Sequence, residues 1–120
     1  MLQVYGIKNC NTVKKGLDWL KQKNISFVFL DVKKGILEKS LLESWMINMP
    51  NYYSWDKLIN KSGVTWRKLT DQDKELALTS KGTIELILLK PTVMKRPVIT
   101  QNKKIITIGF DESEFVEKIK

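Results

Sequence analysis

The chain has one cysteine, Cys10, and no histidine, and these two counts confine the chemistry open to it. Without histidine it lacks the usual general base, the Ser-His and Cys-His nucleophile pairs, and the commonest metal ligand. One cysteine and no histidine also argue against a zinc or iron–sulfur site, so no metal is expected. What remains is a thiol, fixed cations and backbone N–H groups. An ordinary thiol has a pKa of about 8.5 and is only slightly ionised at neutral pH. At the first turn of a helix, unpaired N–H groups and the helix dipole favour the thiolate. Cys10 lies in the stretch Tyr5-Gly6-Ile7-Lys8-Asn9-Cys10-Asn11-Thr12-Val13-Lys14-Lys15, which reads as a strand end, a turn and a helix start. Lys8 and Lys14 add positive charge, and Lys14 lies one turn after Cys10. The amides of Asn11 and Thr12 are expected to complete the thiolate site. The alternative for a lone cysteine is a small apolar filler. Its polar Asn and Lys flanks weigh against that.

Fixed cations are the second ingredient. Of 21 basic residues, all but Arg67 and Arg96 are lysines. A lysine-favouring genome explains most of that skew, and both arginines could be ordinary surface residues. Arginine is nevertheless the residue whose planar fork suits a bound anion. The net charge of +8 fits either a solvated lysine surface or an anionic partner. The lysines are scattered, with pairs only at 14–15, 33–34 and 103–104. No basic block or aromatic ladder suits nucleic acid, so direct nucleic-acid binding is not expected. No apolar run reaches membrane-spanning length, and the N-terminus lacks signal-peptide features. With a single cysteine, the expectation is a cytoplasmic monomer with no membrane association.

The elements that must position these residues follow in order. Residues 2–5 alternate and read as strand one, and a helix opens near Asn11 or Thr12 and ends at Asn24. Val13, Leu17 and Leu20 form its apolar stripe, and Gly16 allows close packing. Residues 26–32 are a nearly continuous apolar run, which suits a strand covered on both faces. This is a βαβ unit with a parallel pair. Residues 39–48 read as a helix, 51–60 as another short one, and 64–69 as a connection. Thr70 is an N-cap for a helix to about Leu78, and Ser80 for a helix over 81–89, before Pro91. Trp45, Tyr52, Tyr53, Trp55 and Trp66 concentrate here and are expected to be mostly core. Strands at 98–100 and 104–110 form an antiparallel hairpin around Gln101-Asn102-Lys103. Asp111 or Ser113 caps a last helix with Phe115, Val116 and Ile119 inward. The order predicts one α/β domain: a thioredoxin-like, four-stranded mixed sheet (βαβ plus ββα, 1–35 and 92–120) with a helical insertion over 36–91. The Arg96–Pro97 bond is trans on general frequency. The inferred topology reverses this, placing a cis-proline beside the thiol and Arg96 near Cys10.

The segments Tyr5-Gly6-Ile7-Lys8-Asn9-Cys10-Asn11-Thr12, Leu58-Ile59-Asn60-Lys61-Ser62-Gly63-Val64-Thr65-Trp66-Arg67-Lys68-Leu69, Lys95-Arg96-Pro97 and Gly109-Phe110 resemble the arsenate reductase (ArsC)/Spx/YffB family, most of all its YffB branch. The resemblance implies a nucleophilic thiol at Cys10 and anion-binding roles for Arg67 and Arg96. It implies glutathione as co-substrate, with no bound cofactor. A single thiol then needs outside resolution, by glutathione or a glutaredoxin. The main expectation is a monothiol, glutathione-dependent thiol/disulfide reductase, with Lys8, Asn11, Thr12, Lys14, Arg67, Arg96 and Pro97 forming the anion site around Cys10. The alternative is a regulator of the Spx kind that binds the RNA polymerase α-subunit. Val13 stands where redox-sensing members carry a second cysteine, so that regulator would lack a disulfide switch. Glutaredoxin-coupled arsenate reduction ranks third. Gly109-Phe110-Asp111-Glu112 holds two acids where such enzymes use a third arginine.

Overall fold

The computed structural model describes residues 1–119. Its four strands are β1 (Leu2–Gly6), β2 (Phe27–Asp31), β3 (Val98–Gln101) and β4 (Lys104–Ile108). They form a single mixed sheet in the order β2-β1-β3-β4, with β1 parallel to β2 and antiparallel to β3, and β3 antiparallel to β4. Helix α1 (Asn11–Gln22) links the parallel pair, as a parallel crossover requires. A two-residue turn joins β3 to β4, with Asn102 and Lys103 both at positive φ (53° and 65°). That is the backbone twist a tight hairpin needs.

The chain divides into two compact units, each with its own core: Met1–Ile36 with the segment from Arg96 onward, and Leu37–Lys95. In the first, Leu2 and Val4 of β1 and Ile99 of β3 pack with Trp19 and Leu20 of α1 and with Phe115 and Ile119. Phe115 belongs to α6 (Glu112–Lys118) and meets the Trp19 ring edge-on at 5.3 Å. Trp19 is thus a core residue outside the Val13-Leu17-Leu20 stripe. Its indole widens the buried face of α1, while Leu17 is only half buried. Asp111 caps α6 by accepting the Glu114 N–H at 3.1 Å. Val116 was expected inward but is 61% exposed. It follows Phe115 directly, and adjacent helical residues point about 100° apart.

The expectation that β2 is covered on both faces holds only in part, since Phe27, Phe29 and Leu30 are half buried. β2 is an edge strand, and Val28 is 39% exposed. An apolar run reports only that side chains avoid water, and does not order strands within a sheet.

The second unit is helical. It contains α2 (Lys39–Ile47), α3 (Val64–Arg67), α4 (Asp71–Glu75) and α5 (Ser80–Leu89), with 3₁₀ turns at Trp55–Leu58, Leu76–Leu78 and Pro91–Val93. Leu42 and Trp45 of α2, Leu58, and Leu86 and Ile87 of α5 are completely buried. Of residues 51–60, expected as a short helix, only the 3₁₀ turn at Trp55–Leu58 forms. Tyr53 N–H bonds the Pro50 carbonyl and Lys57 N–H that of Ser54, the three-residue spacing of turns. Residues 64–69, expected as a connection, contain α3 instead. The cap of α5 is Thr79 rather than Ser80: its backbone is extended and its hydroxyl accepts the Gly82 N–H at 2.9 Å. A Cβ on Gly82 would collide with the Leu76 carbonyl, so the chain can double back only with glycine there.

Candidate functional site

Helix α1 begins one residue after Cys10. The Cys10 backbone is extended (φ −114°, ψ 119°) and its carbonyl accepts the Lys14 N–H at 3.0 Å, which places the cysteine at the N-cap. Its thiol is free and half buried, and no side-chain capping hydrogen bond closes onto the helix. Burial pushes the Cys10 thiol pKa up. Against it act the backbone N–H of Val13, a hydrogen bond from the Arg96 guanidinium, the backbone N–H of Thr12, and the Arg96 charge. Together they hold the pKa below the ordinary thiol value. The neutral thiol therefore leaves the cap open, and the two amides and the guanidinium ease its ionisation.

The residues expected around the sulfur separate. Thr12 supplies an amide, but its companion is Val13 and not Asn11. An N-cap side chain accepts from the second and third helical residues, which are Thr12 and Val13; the first, Asn11, is out of reach of that geometry. The capping rule alone would have identified Val13. Lys8 and Lys14 are exposed and are not among the groups that lower the Cys10 pKa. An ammonium in open water is screened before it reaches a half-buried sulfur. Arg96 does reach it. Arg67 ends α3 in the helical unit and is exposed.

Three close approaches hold Arg96 and the cap in register. The Arg96–Pro97 peptide is cis, Pro97 is buried, and its carbonyl accepts the Gly109 N–H at 2.8 Å. Gly109 has φ 82°, a conformation glycine adopts without strain. Gly16 lets α1 lie against the proline: a Cβ there would stand 3.3 Å from Pro97 Cγ and 3.6 Å from the Phe115 ring. Gly6 does the same at the end of β1, where a Cβ would come within 2.9 Å of Val13 Cγ2. The residue whose amide faces the sulfur is thus clamped through its own side chain. Such an arrangement can attack a disulfide sulfur, with a guanidinium beside the reacting atoms.

A family model described as ArsC matches residues 5–118. An uncharacterized protein of Haemophilus influenzae is 39% identical over 115 residues, 96% of each chain. A global transcriptional regulator Spx from Streptococcus pyogenes is 25% identical over 114 residues, 95% of this chain and 81% of its own. A solved structure of a YffB protein is 29% identical and superposes with a TM-score of 0.85, covering 100% of both chains.

Proposed function

This chain belongs to the ArsC family, and from that premise we propose that it is a monothiol, glutathione-dependent thiol/disulfide reductase with Cys10 as its nucleophile. The supporting observation is the thiol at the mouth of α1, its pKa lowered by two amides and one guanidinium despite burial. The Cys10 thiolate attacks the glutathione sulfur of a mixed disulfide. A Cys10–glutathione disulfide forms and the substrate leaves as its thiolate. A second glutathione thiolate then attacks the glutathione sulfur of that adduct, releasing oxidised glutathione and regenerating the Cys10 thiolate. A glutaredoxin thiol can replace the second glutathione. Each step exchanges one S–S bond for another, and the net reaction consumes one glutathione thiol: the mixed disulfide and glutathione become the substrate thiol and oxidised glutathione.

Arg96 stabilises the thiolate as attacker and as leaving group, and with it binds an anionic group of the partner. Arg67 enters this proposal as a second partner-binding cation on the family resemblance alone. The protein acts as a cytoplasmic monomer. Among the described residues, no helix is long and apolar enough to cross a membrane.

The test is turnover of a glutathione mixed disulfide coupled to glutathione reductase, together with the pH dependence of Cys10 alkylation. Turnover that disappears in Cys10→Ser, and an alkylation midpoint below 8.5, support the proposal. A midpoint at or above 8.5, or turnover unchanged by the substitution, refutes it.

A second reading rests on the Spx relative. In it the chain is a transcriptional regulator that binds the RNA polymerase α-subunit without a disulfide switch, since Val13 is not a cysteine. Capture of purified α-subunit by both the native chain and Cys10→Ser, with no thiol turnover, would favour it. Arsenate reduction ranks below both readings, because Asp111 and Glu112 put acids after β4 where a third arginine would be wanted.

A further inference from the structure

We propose that the outer edge of β2 receives an extended, acidic segment of a partner protein, which joins the sheet as a fifth strand. Among the described residues, β2 pairs only with β1, in unbroken parallel register from Leu2↔Phe27 to Gly6↔Asp31. The Leu2 N–H bonds the Ser26 carbonyl. In a parallel ladder, alternate residues turn both backbone groups toward the same neighbour. Ser26, Val28 and Leu30 therefore bond to β1, and Phe27, Phe29 and Asp31 turn their N–H and C=O groups outward. Such a row is a template for another strand.

Natural sheets usually blunt their edges, and the two edges of this sheet differ. At the far edge, β4 starts with exposed Lys104, and its ladder with β3 is broken by a bulge between Ile99 and Thr100. Along β4, Ile105, Thr107 and Ile108 are buried. β2 has no proline, lysine, glycine or bulge, and reads Phe-Val-Phe-Leu before its single acid, Asp31. The Asp31 carboxylate is engaged by the Lys33 N–H at 2.9 Å.

Charge selects the occupant. Lys21 and Lys23 precede β2, and Lys33 and Lys34 follow it, all exposed. An extended segment with alternating acids places carboxylates near both ends of the strand. A second copy of this chain fits less well. Antiparallel β2–β2 pairing centred on Phe29 brings Lys33 and Lys34 of each copy alongside the Lys23–Ile25 segment of the other. Two chains of net charge +8 also repel one another.

Residue-resolved amide exchange on the full chain tests this. In the free chain, the Phe27 and Phe29 amides should exchange at least about tenfold faster than those of Val28 and Leu30. The probe is the peptide acetyl-Val-Glu-Val-Glu-Val-Glu-Val-amide at up to millimolar concentration. It should slow Phe27 and Phe29 selectively, bind about tenfold less well after Lys33→Glu with Lys34→Glu, and outcompete its lysine-for-glutamate counterpart. Equal protection of all four amides in the free chain overturns the proposal. So does a failure of millimolar peptide to slow them, or equal binding of the basic peptide. Protection that grows with protein concentration, with a dimer in sedimentation, assigns the edge to self-pairing and overturns it as well.

Discussion

Among the described residues, three α-helices start under an oxygen cap, while α1 starts under a sulfur. Thr70, Thr79 and Asp111 accept the amides of Asp73, Gly82 and Glu114 at 3.1, 2.9 and 3.1 Å. Cys10 occupies the same backbone position before α1, yet its side chain closes no such bond. A hydroxyl cap such as Thr70 or Thr79 satisfies helix amides whatever the pH between about 5 and 9, because it does not titrate there. A thiol accepts hydrogen bonds poorly until it loses its proton. The α1 terminus therefore gives up static capping and keeps its amides for an anion, and Arg96 adds a charge to the same point. The difference separates helix ends built for stability from one suited to reactivity.

The contrast is most sharply tested by turning the sulfur cap into an oxygen cap. Cys10→Ser should lower disulfide-exchange turnover at least about a thousandfold. At acidic pH it should also raise unfolding free energy by about 0.5–1 kcal/mol in denaturant titrations. A less stable variant would mean that the serine hydroxyl cannot reach the Thr12 and Val13 amides. Arg96→Ala comes next. Removing the hydrogen bond and charge should move the alkylation midpoint up by about one pH unit or more, slowing alkylation at neutral pH about tenfold. A midpoint that does not move would leave the amides as sole cause of the lowered pKa.

Gly16→Val tests the scaffold. The added side chain must displace Pro97 or the Phe115 ring, costing about 1–3 kcal/mol in thermal or chemical unfolding. The Cys10 midpoint should rise with it if Pro97 carries Arg96 away. Thr79→Ala supplies the counterpart at an oxygen cap: a loss of about 1 kcal/mol with no change in Cys10 reactivity. The smallest effect is in the pH profile of stability. The folded thiol pKa lies below its unfolded value, so ionisation contributes stability that is complete above the unfolded pKa and is lost as pH falls through the folded one. The native chain should gain stability relative to Cys10→Ser as pH rises through that window. A constant difference from pH 5 to pH 9 would show that the thiolate gains nothing from the helix.

Much of the scaffold was readable from local pattern. Strand edges, the α1 boundaries, the Thr70 cap and the hairpin turn are short-range features, and short-range chemistry sets them. The amide pair was misassigned by one residue, to Asn11 rather than Val13, although capping geometry is itself local. Lys8 and Lys14 were overrated because sequence proximity counts charge without solvent. Val116 was misplaced because adjacent helical residues cannot share one face with Phe115, and Trp19 was left out of a stripe drawn through aliphatic positions.

The single thiol, the missing histidine and the strand–turn–helix around Cys10 are properties of composition and neighbouring residues, and they already define which chemistry is possible. Three matters needed the folded chain. One is that Arg96, already expected near Cys10, hydrogen-bonds the sulfur itself. Another is that Gly16 and Gly109 fix Pro97 from two sides. The third is that the apolar β2 lies at the sheet edge. Each depends on segments far apart in sequence meeting through packing, and periodicity within a segment carries no record of which distant segment it meets.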